Sequence, residues 1–315
     1  MWEVLKHYSW FKRCFDELLQ QCVTLRPQVL LLIDYPGFNL RFAKAVRREL
    51  PQTKIVQYIC PQVWAWNRGR IPEMARNLDE MLCLFPFEQQ VFAGSGLKTT
   101  MVGHPLIDEL ASQCLDVERE DNVVGLFPGS REREVVRLFP VMLDAAAQLR
   151  QWRGDLRFRA PAASAILASM MGAMVQQRGM DAVVEVTAGQ SHEQMQRVAC
   201  GVIASGTATL EAACFGLPYC LAYRVAWPTY VLGRLLIKIP FIGLVNILAG
   251  REVVKEWIQH EATARNVAQN LRELLSDSDQ RGALAMELRA TAALLGESGA
   301  HRRAAEAVNR WLCDA

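Results

Sequence analysis

The chain has 315 residues, of which 51% are hydrophobic and 22% charged, a balance typical of a globular protein long enough for two domains. A formal net charge of +2 without long runs of like charge argues against a general nucleic-acid-binding protein, so any anion site must be local. Nine scattered cysteines, odd in number and without a CxxC pair, are typical of reduced thiols in the cytosol.

The apolar stretches of the chain predict neither a secreted nor a membrane-spanning protein. The first ten residues contain charged side chains that a signal peptide lacks. No run of about 18 apolar residues is free of charges. The most apolar segment, residues 235–250, is predicted to be a buried loop and helix. The alternative is that it lies on a membrane surface with Arg234 and Lys238 facing lipid phosphates.

Short apolar runs alternate with amphipathic stretches, which predicts βαβ units and a parallel sheet. The first domain is placed at residues 1–116, with helices at 11–24, 39–49 and ending at 78, and strands at 29–34, 54–59 and 81–85. The first strand, VLLLI, is apolar throughout, so we expect it to be buried on both faces. Asp34 then lies at its carboxyl end, the edge where open α/β sheets bind ligands. Capping of the following helix is an equally open role for this residue.

The second domain is placed at residues 117–315, after a polar stretch at 116–122. The predicted strands cover residues 123–127, 156–160, 183–186, 201–204 and 219–223, and a helical tail follows them. Such a tail usually packs across a domain or a partner, so a homodimer stays open.

One loop of the second domain, FPGSR at residues 127–131, has the composition of an anion cradle. Gly129 allows the backbone to turn and expose its amides, while Ser130 and Arg131 offer a hydroxyl and a guanidinium to a phosphate. An ordinary turn between a strand and a helix is the alternative.

A second loop, in ASGTATLEAA at residues 204–213, also has the composition of an anion cradle. Ser205 and Gly206 form a turn, and Thr207 opens a helix whose free amides carry the positive end of the helix dipole. Two such loops in one domain suggest a diphosphate ligand. Glu211, one helical turn beyond Thr207, is placed to accept both ribose hydroxyls, or is simply a solvated helix glutamate.

A third motif, NILAGREVVKE at residues 246–256, places Asn246 and Arg251 around Gly250. A basic side chain here could neutralise a leaving diphosphate. Taken alone, the motif is only a weak indication of a diphosphate site.

We predict no metal site and no cofactor. His192 and His260 are each followed by Glu as in HExxH, but Gln196 and Ala264 occupy the fifth positions, so both histidines are expected at the surface. A dehydrogenase is disfavoured because AGSGLK, residues 93–98, lacks the third glycine of the dinucleotide-binding fingerprint.

Several stretches together resemble one family, lipid-A-disaccharide synthase. They occur in family order over nearly the whole chain: IDYPGFN, YICPQVWAWNRGRI, LCLFPFE, VGHPL, LFPGSRERE, ASGTATLEAA and NILAGREVVKE. The resemblance implies a GT-B fold, in which two Rossmann-like domains face each other across a cleft and the second holds the nucleotide sugar. It also implies transfer of 2,3-diacylglucosamine from UDP to the 6-hydroxyl of 2,3-diacylglucosamine 1-phosphate.

The resemblance assigns roles to individual residues. Asp34 matches the proposed general base of the family, and Arg131 matches the arginine of its PGSR motif. Asn246, Arg251 and Glu252 match the AGRE motif near the donor. The implied chemistry is a single displacement with inversion at the anomeric carbon, in which basic side chains and helix amides stabilise the departing UDP without a metal.

Acyl-chain substrates imply contact with a membrane. Val63, Trp64 and Trp66 precede Arg68, a composition suited to a bilayer interface with anionic headgroups. The resemblance favours membrane contact for this stretch and also for residues 235–250. We therefore expect a cytoplasmic protein that is peripheral on the cytoplasmic face of the inner membrane. A tryptophan-rich core loop is the alternative for this stretch.

The chain departs from the family at its start. Family members usually begin with a strand, a glycine-rich SGExSGD-type loop and further βα structure, which do not precede Met1 here. The N-terminal domain is therefore expected to be incomplete, with exposed apolar strand edges. Two alternatives to the family activity stay open: another UDP-sugar enzyme of the same fold, such as a peptidoglycan transferase or an epimerase, and a UDP-binding module without turnover.

Overall fold

The computed structural model describes residues 8–237 and 239–313. Contacts divide the chain into two compact units. The first contains the described residues up to Pro105 together with those from Leu295 onward, and the second spans Leu106–Leu294. The first unit is thus formed by two separate stretches of chain.

The first unit is a parallel α/β unit. Its strands are β1 (Val29–Ile33), β2 (Lys54–Tyr58), β3 (Glu80–Cys83) and β4 (Lys98–Met101), in the sheet order β1-β2-β3-β4. Its helices up to Pro105 are α1 (Tyr8–Leu25), α2 (Pro36–Glu49), α3 (Ile71–Asn77) and α4 (Pro86–Val91), and a 3₁₀ turn covers Arg68–Arg70. Helix α2 begins three residues earlier than predicted because a proline suits the first helical position.

Strand β1 is an edge strand in the described part of the sheet, where it pairs in parallel with β2 alone. Leu32 is 5% exposed, but Leu31 and Ile33 on the other face are 40% and 57% exposed. The prediction that this strand is buried on both faces is therefore wrong, because the pattern VLLLI does not distinguish a central strand from an edge strand.

The second unit is built on a six-stranded parallel sheet. Its strands are β5 (Glu120–Phe127), β6 (Arg157–Ala162), β7 (Val184–Ala188), β8 (Val198–Ala204), β9 (Tyr219–Tyr223) and β10 (Glu256–Ile258), in the order β10-β9-β8-β5-β6-β7. The helices are α5 (Leu106–Ala111), α6 (Glu132–Trp152), α7 (Ala165–Gln177), α8 (Ser191–Arg197), α9 (Ala208–Cys214), α10 (Trp227–Leu236), α11 (Leu244–Ala249), α12 (Ala264–Ser276) and α13 (Ser278–Ala293). The core of this unit lies between the sheet and helices α6 and α12, with buried Leu126, Phe139, Met142 and Leu271.

The helical tail divides between the two units. Helices α12 and α13 belong to the second, whereas the last helix, α14 (Ala300–Cys313), packs on β1 and β2 of the first. Trp311 fixes it: its indole Nε1 donates to Oε2 of the fully buried Glu80 at 2.6 Å. The Nζ atoms of Lys54 and Lys98 lie 5.1 and 4.8 Å from the centre of the same ring.

The apolar segment at residues 235–250 has two parts. Helix α11 buries Val245 and Leu248, as the prediction of a buried helix required. Helix α10, just before it, buries none of its residues, and Trp227 and Leu235 are 63% and 72% exposed. Lys238 lies outside the described residues. No helix within residues 8–237 and 239–313 is both long enough and apolar enough to cross a membrane.

Candidate functional site

Asp34 follows β1 directly, in a strained backbone segment. Its φ is 48° and that of Tyr35 is 39°, so two successive residues other than glycine adopt the left-handed region. Each such residue costs about 1–3 kcal/mol and persists only where the surroundings hold it. This type of strain is typical of functional positions.

Side-chain amides hold the Asp34 backbone in place. The Asp34 amide donates to the Tyr58 carbonyl at 2.9 Å. The Asp34 carbonyl accepts from Asn39 Nδ2 at 2.7 Å and from Nε2 of the fully buried Gln57 at 3.1 Å. Asn39 Nδ2 also donates to the Ile33 carbonyl at 3.0 Å. These bonds fix the direction in which the Asp34 side chain leaves the chain.

The Asp34 carboxylate itself is free for chemistry. Asp34 is exposed, and no described residue donates to its carboxylate or forms an ion pair with it. It does not cap α2, because the N-cap residue is Tyr35 and has no side-chain capping bond. The alternative role as a helix cap is therefore wrong.

The tryptophan-rich segment of the first unit is largely internal. Val63 is 3% and Trp64 7% exposed, and Trp64 Nε1 donates to Glu88 Oε1 at 3.2 Å. The prediction that these two residues contact a membrane is wrong, because their side chains pack in the core. Trp66, which is 45% exposed, and Arg68, which is exposed, remain available for that contact.

Glu88 is a buried carboxylate behind this segment. Burial raises the pKa of its carboxyl group, and hydrogen bonds from the Phe85 and Leu84 amides and from the Trp64 indole oppose the increase. A carboxylate and an indole that satisfy each other explain why Trp64 faces inward.

In the second unit, the PGSR loop ends β5 and starts α6. Gly129 has φ 107°, and a Cβ at this position would lie 2.4 Å from Glu134 Oε2, so glycine is required. Arg131 Nη1 donates to Glu134 Oε1 at 2.9 Å, yet 81% of the Arg131 side chain is exposed. Ser130 is exposed as well. The loop therefore presents a hydroxyl and a positioned guanidinium to solvent.

The second loop, after β8, lies beside the first. Strands β5 and β8 are parallel neighbours with Phe127 opposite Ile203, so both loops leave the same edge of the sheet. Gly206 has φ 151° with open space around it, and Gly206 and Thr207 are exposed. Their amides donate to no described residue. Ser205 Oγ donates to the Ile242 carbonyl at 3.4 Å.

Glu211 is held by a histidine that sequence reasoning did not assign to the site. His192 Nε2 donates to Glu211 Oε2 at 3.0 Å, and its other ring nitrogen contacts the side-chain amide of Gln113. The Glu211 side chain is 16% exposed and that of His192 is 23% exposed. The prediction of a surface histidine is wrong for His192, which is partly buried, and is confirmed for the exposed His260. The alternative of a solvated Glu211 is also wrong. Their 19-residue separation carries no local pattern that could have revealed the pair.

The AGRE segment is organised by Asn246. This residue is fully buried, and its side chain donates to the Val254 carbonyl and to Glu256 Oε1, both at 2.8 Å. Its Oδ1 accepts from the amides of Val253 and Val254 at 2.8 and 3.0 Å. Asn246 thus has no donor or acceptor left for a ligand and instead shapes the loop.

The two charged residues of the AGRE segment have partners on the protein. Arg251, with 62% of its side chain exposed, forms an ion pair with Glu287 of α13. Glu252 Oε1 accepts from Lys255 Nζ at 2.7 Å. Both side chains are accessible, and because exposed ion pairs are weak, Arg251 can exchange its partner for a stronger anion.

Two parallel α/β units, with paired anion-suited loops at the carboxyl edge of the second sheet, define the GT-B class of α/β proteins. The fold is similar to the UDP co-structure of MnaA from S. aureus (TM-score 0.64, 13% identity, covering 97% of this chain and 81% of that chain). It is also similar to UDP-GlcNAc 2-epimerase from Neisseria meningitidis bound to UDP-GlcNAc (TM-score 0.57, 12% identity, 95% and 81% covered). At these identities the similarity concerns the fold alone.

Sequence comparison identifies the family. The profile of the family described as Lipid-A-disaccharide synthetase matches residues 1–310. The chain is 39% identical to the lipid-A-disaccharide synthase of Geobacter sulfurreducens over 98% of this chain and 82% of that protein. It is 36% identical to that of Trichlorobacter lovleyi, with 96% and 80% covered, and 33% identical to that of Persephonella marina, with 97% and 83% covered. The chain belongs to the lipid-A-disaccharide synthase family.

Proposed function

We propose that this protein transfers 2,3-diacylglucosamine from UDP-2,3-diacylglucosamine to the 6-hydroxyl of 2,3-diacylglucosamine 1-phosphate, releasing UDP. The observation that carries the proposal is the Asp34 carboxylate, exposed and unpaired within the described chain at the end of a strand and held by a strained backbone. Family membership supports the identity of the substrates.

Asp34 acts as the general base. A sugar hydroxyl is a poor nucleophile at neutral pH, so its proton must leave as its oxygen bonds to the anomeric carbon of the donor. The proton passes to the Asp34 carboxylate while the bond from the anomeric carbon to the UDP oxygen breaks. Because this is one displacement, the configuration at the anomeric carbon inverts.

The second unit holds the donor and stabilises the leaving UDP. Negative charge grows on the diphosphate during the reaction, and Arg131 with the Gly206 and Thr207 amides offers donors to it. The turn glycine Gly129 supports this arrangement, and Ser130 adds a hydroxyl.

Further contacts to the donor come from the surrounding loops. Ser205 belongs to the same cradle, and Glu211 accepts hydrogen bonds from the ribose hydroxyls. Arg251 leaves its ion pair to neutralise the diphosphate, Glu252 contacts the donor, and the buried Asn246 keeps this loop in shape.

We propose that the protein works at the cytoplasmic face of the inner membrane, as a peripheral protein. Trp66 and Arg68 of the first unit and the exposed apolar face of α10 in the second suit an interface with anionic lipids. Flotation with anionic vesicles tests this, and exclusive recovery in the unbound fraction would oppose it.

The Asp34→Asn variant tests the function. We expect transfer to fall by about 10²–10⁴-fold, the usual contribution of a general base, while calorimetry shows unchanged UDP affinity. Near-wild-type turnover would remove Asp34 from the mechanism. UDP binding by the wild type without any product would instead favour a UDP-binding module.

The Arg131→Ala variant tests the cradle. Loss of a charge-assisted hydrogen bond of about 1.5–3 kcal/mol should weaken UDP binding about 10- to 100-fold and slow transfer. Arg265→Ala, an exposed arginine of α12 in the same unit, is the control and should bind UDP like the wild type. Equal affinity of the two variants would place Arg131 outside the phosphate site.

A further inference from the structure

Two cavities of the first unit adjoin at the start of α2, where Tyr35 and Pro36, the two residues after Asp34, line one cavity each. One has a volume of about 340 Å³ and is called here the basic pocket, and the other, of about 530 Å³, is called the aromatic groove. Gly37 and Arg41 line both, so the two cavities adjoin. Volumes of this size are typical of sites for small ligands.

The basic pocket has an excess of positive charge. Arg41, Lys44 and Arg70 line it against a single carboxylate, Glu73. Lys44 Nζ donates to Glu73 Oε1 at 2.8 Å, and this contact lowers the pKa of the Glu73 carboxyl. No carboxylate in the described chain pairs with Arg41 or Arg70, and the Arg70 guanidinium lies 5.5 Å from the centre of the Trp66 ring. The two unpaired guanidinium groups suit a phosphate.

The aromatic groove is apolar and open to solvent. Phe11, Phe15, Tyr35 and Phe38 supply its apolar lining, and the charged residues at its border are Lys12, Asp16 and the shared Arg41. The Phe15 and Phe38 rings are 5.5 Å apart and those of Tyr35 and Phe38 are 6.5 Å apart. Tyr35 is 53% exposed and the three phenylalanines are half-buried. An alkyl chain lying here would remove both its own surface and the rings from water.

We propose that these two cavities together bind the acceptor, with its phosphate in the basic pocket and an acyl chain in the aromatic groove. The inference rests on the proposed function, in which the acceptor is an acylated sugar phosphate. An inorganic phosphate would leave the groove empty, and an uncharged fatty chain would leave Arg41 and Arg70 unpaired. Tyr35, which lines the groove, directly follows Asp34 in the chain, and the proposal places the acceptor sugar on the side of this base.

Calorimetry on the full chain tests the site, using diacylglucosamine 1-phosphate with acyl chains short enough to keep it monomeric. Analogues without the phosphate and with chains of different length separate the two contributions. For the wild type, removal of the phosphate should weaken binding at least tenfold. Each added methylene should strengthen binding about fourfold, the value expected for one buried CH₂ group.

Matched variants assign the two contributions to the two cavities. Arg41→Glu should weaken binding at least tenfold and abolish the preference for the phosphorylated ligand, and Arg70→Gln is a milder second variant of the same pocket. The control is Arg48→Glu on the same helix, whose arginine pairs with Glu49 away from the pocket. Circular dichroism and thermal unfolding establish that each variant is folded.

A second pair of variants tests the aromatic groove. Phe11→Ala should reduce the dependence of affinity on chain length while keeping the preference for phosphate. Leu25→Ala removes a residue of α1 that is 77% exposed and should leave both unchanged. UDP affinity is expected to be the same in all of these variants, since the donor contacts are proposed in the second unit.

The possible results either support or overturn the proposed acceptor site. Failure of the wild type to bind the acceptor, or equal binding by Arg41→Glu and Arg48→Glu, overturns the inference. An effect of Arg41→Glu that is seen with anionic vesicles but not with the monomeric acceptor also overturns it, because the pocket would then be a bilayer contact. Binding that depends on Arg41 without any sugar transfer would support the site and refute the proposed function.

Discussion

The positioning of Asp34 can be disrupted by a single isosteric change, Asn39→Asp. Asn39 Nδ2 donates to the carbonyls of Ile33 and Asp34 at 3.0 and 2.7 Å, and an aspartate at this position would direct a carboxylate oxygen at them instead. Two lost hydrogen bonds at about 0.5–1.5 kcal/mol each predict a loss of about 1–3 kcal/mol in the free energy of unfolding. Urea denaturation followed by tryptophan fluorescence measures it.

The functional consequence of the same change should be larger than the loss of stability. Release of the strained backbone lets the Asp34 carboxylate shift, and a misplacement of about 1 Å at a reacting group costs about 10²-fold in rate. We therefore expect kcat to fall about 100-fold while the KM for the donor is unchanged. Initial rates at saturating donor, measured on folded protein, provide the comparison.

A matched control isolates the effect of position. Asn266→Asp removes one bond from Asn266 Nδ2 to the Glu261 carbonyl, 2.8 Å in length, in the second unit. It should cost about 1 kcal/mol or less and leave kcat unchanged. If Asn39→Asp lowers stability but keeps full activity, the amide bonds do not position a catalytic carboxylate, and the argument from backbone strain fails.

Three further predictions concern other parts of the chain. His192→Ala should weaken UDP binding about tenfold and 2′-deoxy-UDP binding by less, because the histidine holds Glu211. The proposed role of Glu211 is to accept from both ribose hydroxyls, and the deoxy ligand offers only one of them. Trp311→Phe keeps the ring between its two lysines but removes the donor to the buried Glu80 carboxylate, so the free energy of unfolding should fall by about 1.5–3 kcal/mol. Burial raises the pKa of Glu88, so its neutral form favours the folded state and that contribution is lost as the pH rises through the raised pKa. As the pH rises above about 4.3, the ordinary pKa of a glutamate, the wild type should therefore lose more stability than Glu88→Gln.

The controls for these predictions come from the same chain. Trp257→Phe removes an indole whose buried Nε1 has no acceptor in the described part of the chain, so it should cost less than Trp311→Phe. Equal losses for the two variants would mean that the bond to Glu80 contributes nothing. Equal weakening of UDP and 2′-deoxy-UDP binding by His192→Ala would show that the histidine supports the fold alone. Parallel pH profiles for the wild type and Glu88→Gln would contradict the raised pKa.

The sequence predicted those features of the site that arise from local patterns. Asp34 could be placed at a strand end because an apolar run stops there, and the loops at Gly129 and Gly206 because glycine follows a strand and precedes a helix. Their position at one sheet edge then follows from the alternation of strands and helices. The family motifs are local patterns too, and they predicted both the fold class and the family.

Features that depend on pairs distant in sequence could not be predicted. Trp64 looked like an interfacial residue because the sequence does not show that Glu88, 24 residues later, meets its indole in the core. His192 and Glu211 are brought together only by the packing of α8 against α9. Strands β4 and β10 were not predicted, since KTTM and EWI are too short and too polar for a periodic pattern.

The two-part composition of the first unit sets the order in which the protein can fold during synthesis. Residues 106–294 emerge from the ribosome as one continuous stretch and can form their sheet before translation ends. The amino-terminal sheet emerges earlier, but the helix that covers β1 and β2 emerges only after residues 106–294. Nascent chains therefore keep apolar surface of that sheet uncovered until α14 has emerged, and chaperones have reason to bind them during that interval.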